Sequence, residues 1–277
     1  NNDLRWKQIM QFLTKNNFLH TARTTQNKKL SAWLLCAGTL LLPTSLIAGE
    51  LTQYQASYDI LRKGTNHGKA ERELKKLDNN NYQVTYHSDI EWMIFSDSRQ
   101  ESSTFSFAND KVEPIQYAMI RTGTGPDKKY EINFDRLTKT VTSNTSDYPL
   151  KCQWHDNFQD GISYQVQVRE GLKKGKTSFS FPLVDKKGNC RDYDFEVVET
   201  EMISLPIGNV EAIKVKRLYD NDKRQALAWF APEMDYMLVR MWKGEKGVEQ
   251  FEVQMKSFTV INPPALPAQV KNEITPK

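Results

Sequence analysis

The chain has 277 residues, 39% hydrophobic and 11% aromatic, with 38 Lys and Arg against 34 Asp and Glu. That apolar content supports a folded core and excludes a disordered chain. Six of the basic residues (Arg5, Lys7, Lys15, Arg23, Lys28, Lys29) but only one acid, Asp3, precede Gly49, so removing them leaves 32 basic and 33 acidic residues, a net of −1; no nucleic acid partner is expected, because such a partner needs a basic face to displace counterions from phosphates.

Residues 1–26 carry Leu4, Trp6, Ile9, Met10, Phe12 and Leu13, spaced for a short amphipathic helix, but they read better as an N-terminal extension that is not part of the mature protein. Residues 27–48 have the three parts of a secretory signal: the basic step Lys28-Lys29, an apolar run from Leu30 to Leu42 broken only by Ser31, Gly38 and Thr39, and Pro43 before a small-residue end at Ala48-Gly49. Cleavage is expected after Ala48. The alternative is an uncleaved anchor, since the 19 residues Leu30 to Ala48 just reach across a bilayer. Both readings put the rest of the chain outside the cytoplasm, because the positive charges flank the N-terminal side. The expected location is the periplasm of a Gram-negative envelope, with the membrane touched only through an uncleaved leader. Leu35 is too bulky for the position before a lipidated cysteine, which argues against Cys36 as a lipid anchor.

From Tyr54 onward apolar and polar residues alternate at period two, with turn residues every eight to twelve positions, the pattern of an antiparallel meander. Tyr54, Ala56, Tyr58 and Ile60 share one face of a first strand; Gly64 to Gly68 turns into a second strand through Leu74; Asp78 to Asn81 leads into Tyr82, Val84 and Tyr86. Further strands are predicted at 104–107, 116–122, 130–134, 177–183, 193–198, 210–219, 225–230, 237–242 and 248–260, about a dozen in all. Asp160 to Leu172 fits either a strand or a helix capped by Asp160, and the helix is the preferred reading. The predicted fold is all-β and mainly antiparallel, with curved sheets forming an open barrel or sandwich and one short helix near 160–172. Residues 49–260 are read as a single β domain of two meanders, and residues 261–277, with four prolines, as a flexible tail.

Beyond the leader only Cys152 and Cys190 remain, an even count of the kind an oxidising compartment pairs. A bridge over that separation of 38 would stabilise by about 4 kcal/mol. Two free thiols or a shared metal are the alternatives, and the metal lacks companions because His67, His87 and His155 are scattered, so no metal or other cofactor is expected.

Between residues 52 and 260 the chain resembles the bacterial envelope proteins grouped as domain of unknown function 3108. The resemblance rests on the order of Tyr54-x-x-x-Tyr58, Gly68-x-Ala70, Pro114-x-x-Tyr117, Phe134-Asp135, Asp160-Gly-Ile-Ser163-Tyr164, Leu205-Pro206-x-Gly208 and Trp229-Phe-Ala231-Pro232. It implies a periplasmic antiparallel β protein and no particular activity.

Candidate chemistry is thin, and no catalytic residue is assigned. His155, Asp156 and Ser163 are the residue types of a hydrolytic triad, yet Gly161-Ile-Ser163-Tyr164 lacks the second glycine of a nucleophile elbow. Asp89 and Glu91 beside Trp92 suggest paired carboxylates, but acids alternating on a strand form its wet face. Arg121-Thr-Gly-Thr-Gly125 has no Lys-Ser/Thr ending and reads as a long hairpin turn. What stands out collectively is the wealth of aromatic residues on the strands, either filling a closed core or lining an interior that holds an apolar ligand. Tyr58, Tyr86, Trp92, Tyr117, Trp229 and Trp242 are the candidate ligand-binding residues. The expected function is a non-catalytic envelope protein that binds a lipid or acyl chain or docks to an envelope-assembly protein; the alternative is an envelope hydrolase with an unrecognised site.

Overall fold

The computed structural model describes residues 49–145 and 150–261. The predicted extension, leader and nearly all of the tail lie outside these. Among the described residues thirteen strands and one α-helix follow in chain order: β1 (Tyr54–Arg62), β2 (Thr65–Lys76), β3 (Tyr82–Trp92), β4 (Phe95–Ala108), β5 (Lys111–Gly123), β6 (Lys128–Asp135) and β7 (Thr140–Ser143), then α1 (Ser163–Lys173), then β8 (Ser178–Val184), β9 (Cys190–Leu205), β10 (Gly208–Leu218), β11 (Arg224–Ala231), β12 (Met237–Glu245) and β13 (Val248–Val260), with a short 3-10 turn at Pro232–Met234. Tight hairpins join many of them; at Lys63-Gly64 both residues have positive φ, 49° and 77°, the conformation whose twist matches the flanking strands.

All strands belong to one antiparallel sheet in the order β7-β6-β5-β4-β3-β2-β1-β13-β12-β11-β10-β9-β8. The last strand returns to pair with the first, Tyr54 opposite Val260 and Ile60 opposite Val253, which fuses the two meanders edge to edge. The sheet is not closed into a barrel, because β7 and β8 do not pair. The chain between them covers the β8 edge instead. Gln159 forms a parallel bridge with Leu183, Thr145 Oγ1 donates to the Lys186 carbonyl at 3.1 Å, and Lys151 N–H donates to the Gly188 carbonyl at 2.8 Å. The expected disulfide joins Cys152 to Cys190 here, with Cα atoms 6.1 Å apart. It ties the connecting segment to the start of β9 and protects an otherwise pairable edge.

The helix starts three residues later than predicted and ends one later. The N-cap position falls on Ile162, which makes no side-chain cap, but Asp160 two residues earlier holds the helix entrance: its Oδ1 accepts from the N–H groups of Ile162 (3.0 Å) and Ser163 (2.9 Å), while its own N–H donates to Ser163 Oγ at 3.0 Å. Val168 and Leu172 of α1 pack with Phe179, Phe181, Phe195, Val215 and Phe230 from β8 to β11. Ile162 and Val166 join a larger core with Tyr54, Leu74, Val84, Phe105, Tyr117 and Ile132. The helix therefore fills much of the space that the curved sheet encloses. Gly171 is required by this packing, because a Cβ there would sit 2.4 Å from Phe179 Cε1. Strand β7 escaped the sequence reading because it is four residues long, with Val141 as its single large apolar residue.

Candidate functional site

Residues directly opposite one another in an antiparallel ladder share a face, so the register lays out the inner surface in rows. One row runs Tyr54, Leu74, Val84, Ser103, Tyr117, Ile132 across β1 to β6. The next is Ala56, Arg72, Tyr86, Glu101, Met119, Tyr130, and the one after it Tyr58, Ala70, Ser88, Arg99, Arg121, Lys128. Polarity thus rises from an apolar row under the helix toward the end of the sheet that carries the hairpins Arg62–Thr65, Trp92–Phe95, Gly123–Lys128 and Glu245–Val248.

Between the apolar and the cationic rows lies a cavity of about 150 Å³. Tyr58, Arg72, Tyr86, Arg99 and Glu101 wall one side, Leu238, Arg240, Met241, Phe251 and Val253 the other, and Gly161 and Ile162, just before α1, close the inner end with Gln165 of the helix. Arg72 donates through Nε to Tyr54 Oη at 2.9 Å and through Nη1 to Gln165 Oε1. Tyr58 Oη donates to the Leu238 carbonyl at 2.9 Å, and Tyr117 Oη to Glu101 Oε2 at 2.5 Å. Burial raises the phenol pKa of Tyr58, Tyr86 and Tyr117, so all three are neutral donors.

Beyond the cavity the inner face is cationic. Arg121 pairs through Nε with Asp97, and Arg99 lies 3.7 Å from Glu101. From the other meander, Arg217 stacks its guanidinium 3.3 Å from the Tyr193 ring centre and 4.5 Å from Tyr219, and Lys243 stands opposite Phe251. The Lys243 ammonium pKa is pushed down to about 8, by burial first and then by Arg217, Arg224 and Arg99. Lys128 is lowered too, by burial, Arg121, Lys186 and Arg99. Arg99 thus feels charges from both meanders, which face each other across this end of the interior.

The six candidate ligand residues separate. Tyr58 and Tyr86 line the cavity, and Tyr117 lies on the same face, one row deeper. Trp92 ends β3, its ring stacked 6.2 Å from Phe95 under the guanidinium of Arg62. Trp229 and Trp242 alternate out of phase with Met241 and Lys243 and do not line the cavity; Trp229 is buried in the main core and donates to Glu201 at 2.7 Å, and Trp242 packs against that core and donates to Glu249 at 3.1 Å. Arg72, Arg99, Arg217 and Lys243 went unread in the sequence, and Arg121 was read only as the start of a long hairpin turn. Their signal was present: Arg72 falls in phase with Ala70 and Leu74, and Arg121 with Tyr117 and Met119, so each is a charge written at an inward position.

The triad types do not assemble. Ser163 and Asp160 are buried and bonded to each other, whereas His155 Nδ1 accepts from Asn157 N–H. Asp89 pairs with His87 at 2.8 Å, and Arg121 to Gly123 continue β5 rather than forming a phosphate loop. Among the described residues no three His, Cys, Asp or Glu side chains gather as a metal site requires, and no helix is long and apolar enough to cross a membrane. A second recess, about 420 Å³ and about equally polar and apolar, lies at the opposite end between the β4–β5 turn and α1.

No curated protein matches the chain. Among solved structures it is similar to a beta-barrel-like protein of domain of unknown function DUF1849 from Brucella abortus, with TM-score 0.53, 7% identity, and coverage of 76% of this chain and 99% of that one. Weaker likenesses are to a "putative lipoprotein" from Parabacteroides distasonis (TM-score 0.31, 14% identity, 76% and 96% covered) and to Aeromonas veronii immune modulator A (0.21, 9%, 70% and 72%). At such identities only the first speaks, and only to the barrel-like fold. The sequence itself is more specific: the pattern of the family described as protein of unknown function DUF3108 matches residues 53–248, and the chain belongs to that family.

Proposed function

We propose that this protein is an exported, periplasmic member of the DUF3108 family that holds an amphiphilic ligand, a lipid or acyl-chain molecule, between its two meanders and performs no chemistry on it. The observation that carries this reading is the two-sided cavity wall, with Leu238, Met241, Phe251 and Val253, interrupted by the one cation Arg240, facing Arg72, Arg99 and Glu101. A wall of that kind matches a molecule with an apolar and a polar part. At about 150 Å³ the cavity is well below the roughly 300 Å³ at which drug-sized pockets begin, so it seats a segment of the ligand while the rest lies at the mouth. Export is supported by the leader-like sequence of residues 27–48 and by the Cys152–Cys190 disulfide, which suits an oxidising compartment. Docking to an envelope-assembly partner is a second reading, favoured by Met93 and Ile94 at the β3–β4 hairpin tip, 85% and 84% exposed.

Native mass spectrometry with lipid extraction, on protein exported by cells that express the full chain, tests the reading. A retained lipid or acyl adduct is the expected result. A clean apo mass under gentle conditions overturns carriage and leaves docking.

A further inference from the structure

We infer that the open mouth of the sheet is a binding site for a phosphate group, carried as the headgroup of the amphiphile proposed above. The inference rests on that reading for the ligand's apolar part and on its own observations for the charge.

The first is register. Arg99, Arg121 and Lys128 stand directly opposite one another on β4, β5 and β6, three cations abreast on one inner face. Like charges in that relation repel, and opposite or neutral neighbours are the favoured arrangement. The second is the charge balance at the mouth. Asp97 is engaged by Arg121, Glu101 by Arg99 and Tyr117, and Glu245 lies opposite Arg224 in the ladder. Asp185 is within 3.8 Å of Arg191. Lys128, Arg217 and Lys243 lie outside these pairs; Asp127 precedes Lys128 in the β5–β6 turn, but Lys186 is close enough to Lys128 to add to its repulsion. The third is an unfilled donor. Arg217 Nε is buried and finds no hydrogen-bond partner among the described residues, although the side chain is hydrogen-bonded to Tyr219 and its guanidinium lies over the Tyr193 ring.

A single carboxylate would neutralise one of the three cations that lie outside these pairs. A phosphate offers more charge and several acceptor oxygens, and guanidinium forks with mobile ammonium groups are the side chains that recognise it. The exposed Met93 and Ile94 belong to a hairpin at this same end, so the surface beside the cations is apolar. That juxtaposition favours a phosphate attached to a lipid over a free one.

The test uses the exported full-length protein and three probes: dihexanoylphosphatidic acid, dihexanoylglycerol, which lacks the phosphate, and inorganic phosphate. Titration calorimetry should show the phosphatidic acid binding at least about tenfold more tightly than dihexanoylglycerol, an advantage erased in the double variant Arg217→Gln, Lys243→Met. Equal affinity for the two lipids overturns the phosphate site and leaves carriage standing. Inorganic phosphate bound alone, and lost in the double variant, upholds the site with a soluble source and overturns carriage. Phosphate affinity unchanged by the double variant, or no binding of any probe, overturns the inference. If the double variant fails to fold, Arg224→Gln and Lys128→Met, made separately, take its place, and each should weaken phosphatidic acid binding severalfold.

Discussion

Replacing Asp160 by Asn asks which form of this carboxyl the folded protein prefers. Asp160 is fully buried at the entrance of α1, and burial pushes its pKa from 3.8 up to about 6, against the pull of hydrogen bonds from Ser103, Ile162 and Ser163. A raised folded pKa means that the proton is held more tightly in the folded state than in the unfolded one. The stability so gained is fully present below the unfolded value near 4 and is lost as pH rises through about 6. A shift of that size corresponds to about 3 kcal/mol at about 1.4 kcal/mol per unit. Asn has the same shape and is neutral throughout; its oxygen accepts from Ile162 and Ser163 as before, and its amide faces Ser103. Urea unfolding followed by tryptophan fluorescence should therefore show the wild type losing about 3 kcal/mol relative to Asp160→Asn between about pH 4 and pH 7, most of it before pH 6. A pH-independent difference would refute the burial argument. A wild type that gains on the variant as pH rises would show that the hydrogen bonds to the carboxylate outweigh its desolvation.

Three further outcomes are expected. Cys152→Ser with Cys190→Ser should lose about 4 kcal/mol by the loop-entropy relation, read as a fall in urea midpoint that reductant reproduces in the wild type and not in the variant. Gly171→Ala should destabilise by about 1–3 kcal/mol through the clash with Phe179, offset by at most about 1 kcal/mol of helix propensity, so a thermal melt that rises would contradict the packing described. Lys243→Met should stabilise the ligand-free protein near pH 7 by up to about 3 kcal/mol, because a lysine lowered to about 8 is disfavoured while charged. That gain should shrink as pH rises through about 8, where the wild-type ammonium loses its proton, and calorimetry across that range checks it.

Much of the fold was legible because it is local. Every strand but the four-residue β7 announced itself by alternation over a few residues, and Asp160 with Ser163 marked the helix start from three positions apart. The pairing of Cys152 with Cys190 followed from count alone. What was not legible depends on partners far along the chain. Nothing near Tyr54 says that it faces Val260, and nothing near Gln159 says that it bridges to Leu183 in place of a closing strand. The candidate site shows the same limit. Aromatic residues on strands suggested a lined interior, and Tyr58 and Tyr86 do line the cavity, but Trp229 and Trp242 do not. The phase of each strand separates these pairs, and a single strand's phase has no absolute sense until its neighbours are known.

The same dependence gives the cationic mouth its meaning. A lone arginine at an inward position is unremarkable, since it snorkels toward the rim or finds a carboxylate, as Arg121 finds Asp97. Buried pairs of that kind roughly cancel their own desolvation and need no ligand to account for them. The surplus is different. Moving Lys243 or Lys128 by one position along its strand would turn it to the other face and relieve repulsion that lowers both ammonium groups. The register instead holds them inward, beside an arginine whose Nε is buried and unbonded. Folding gains the stacking of Arg217 on its tyrosines and nothing from the surplus of charge. Binding an anion gains from all of it at once, because one phosphate relieves the repulsion, fills the donor and occupies the mouth.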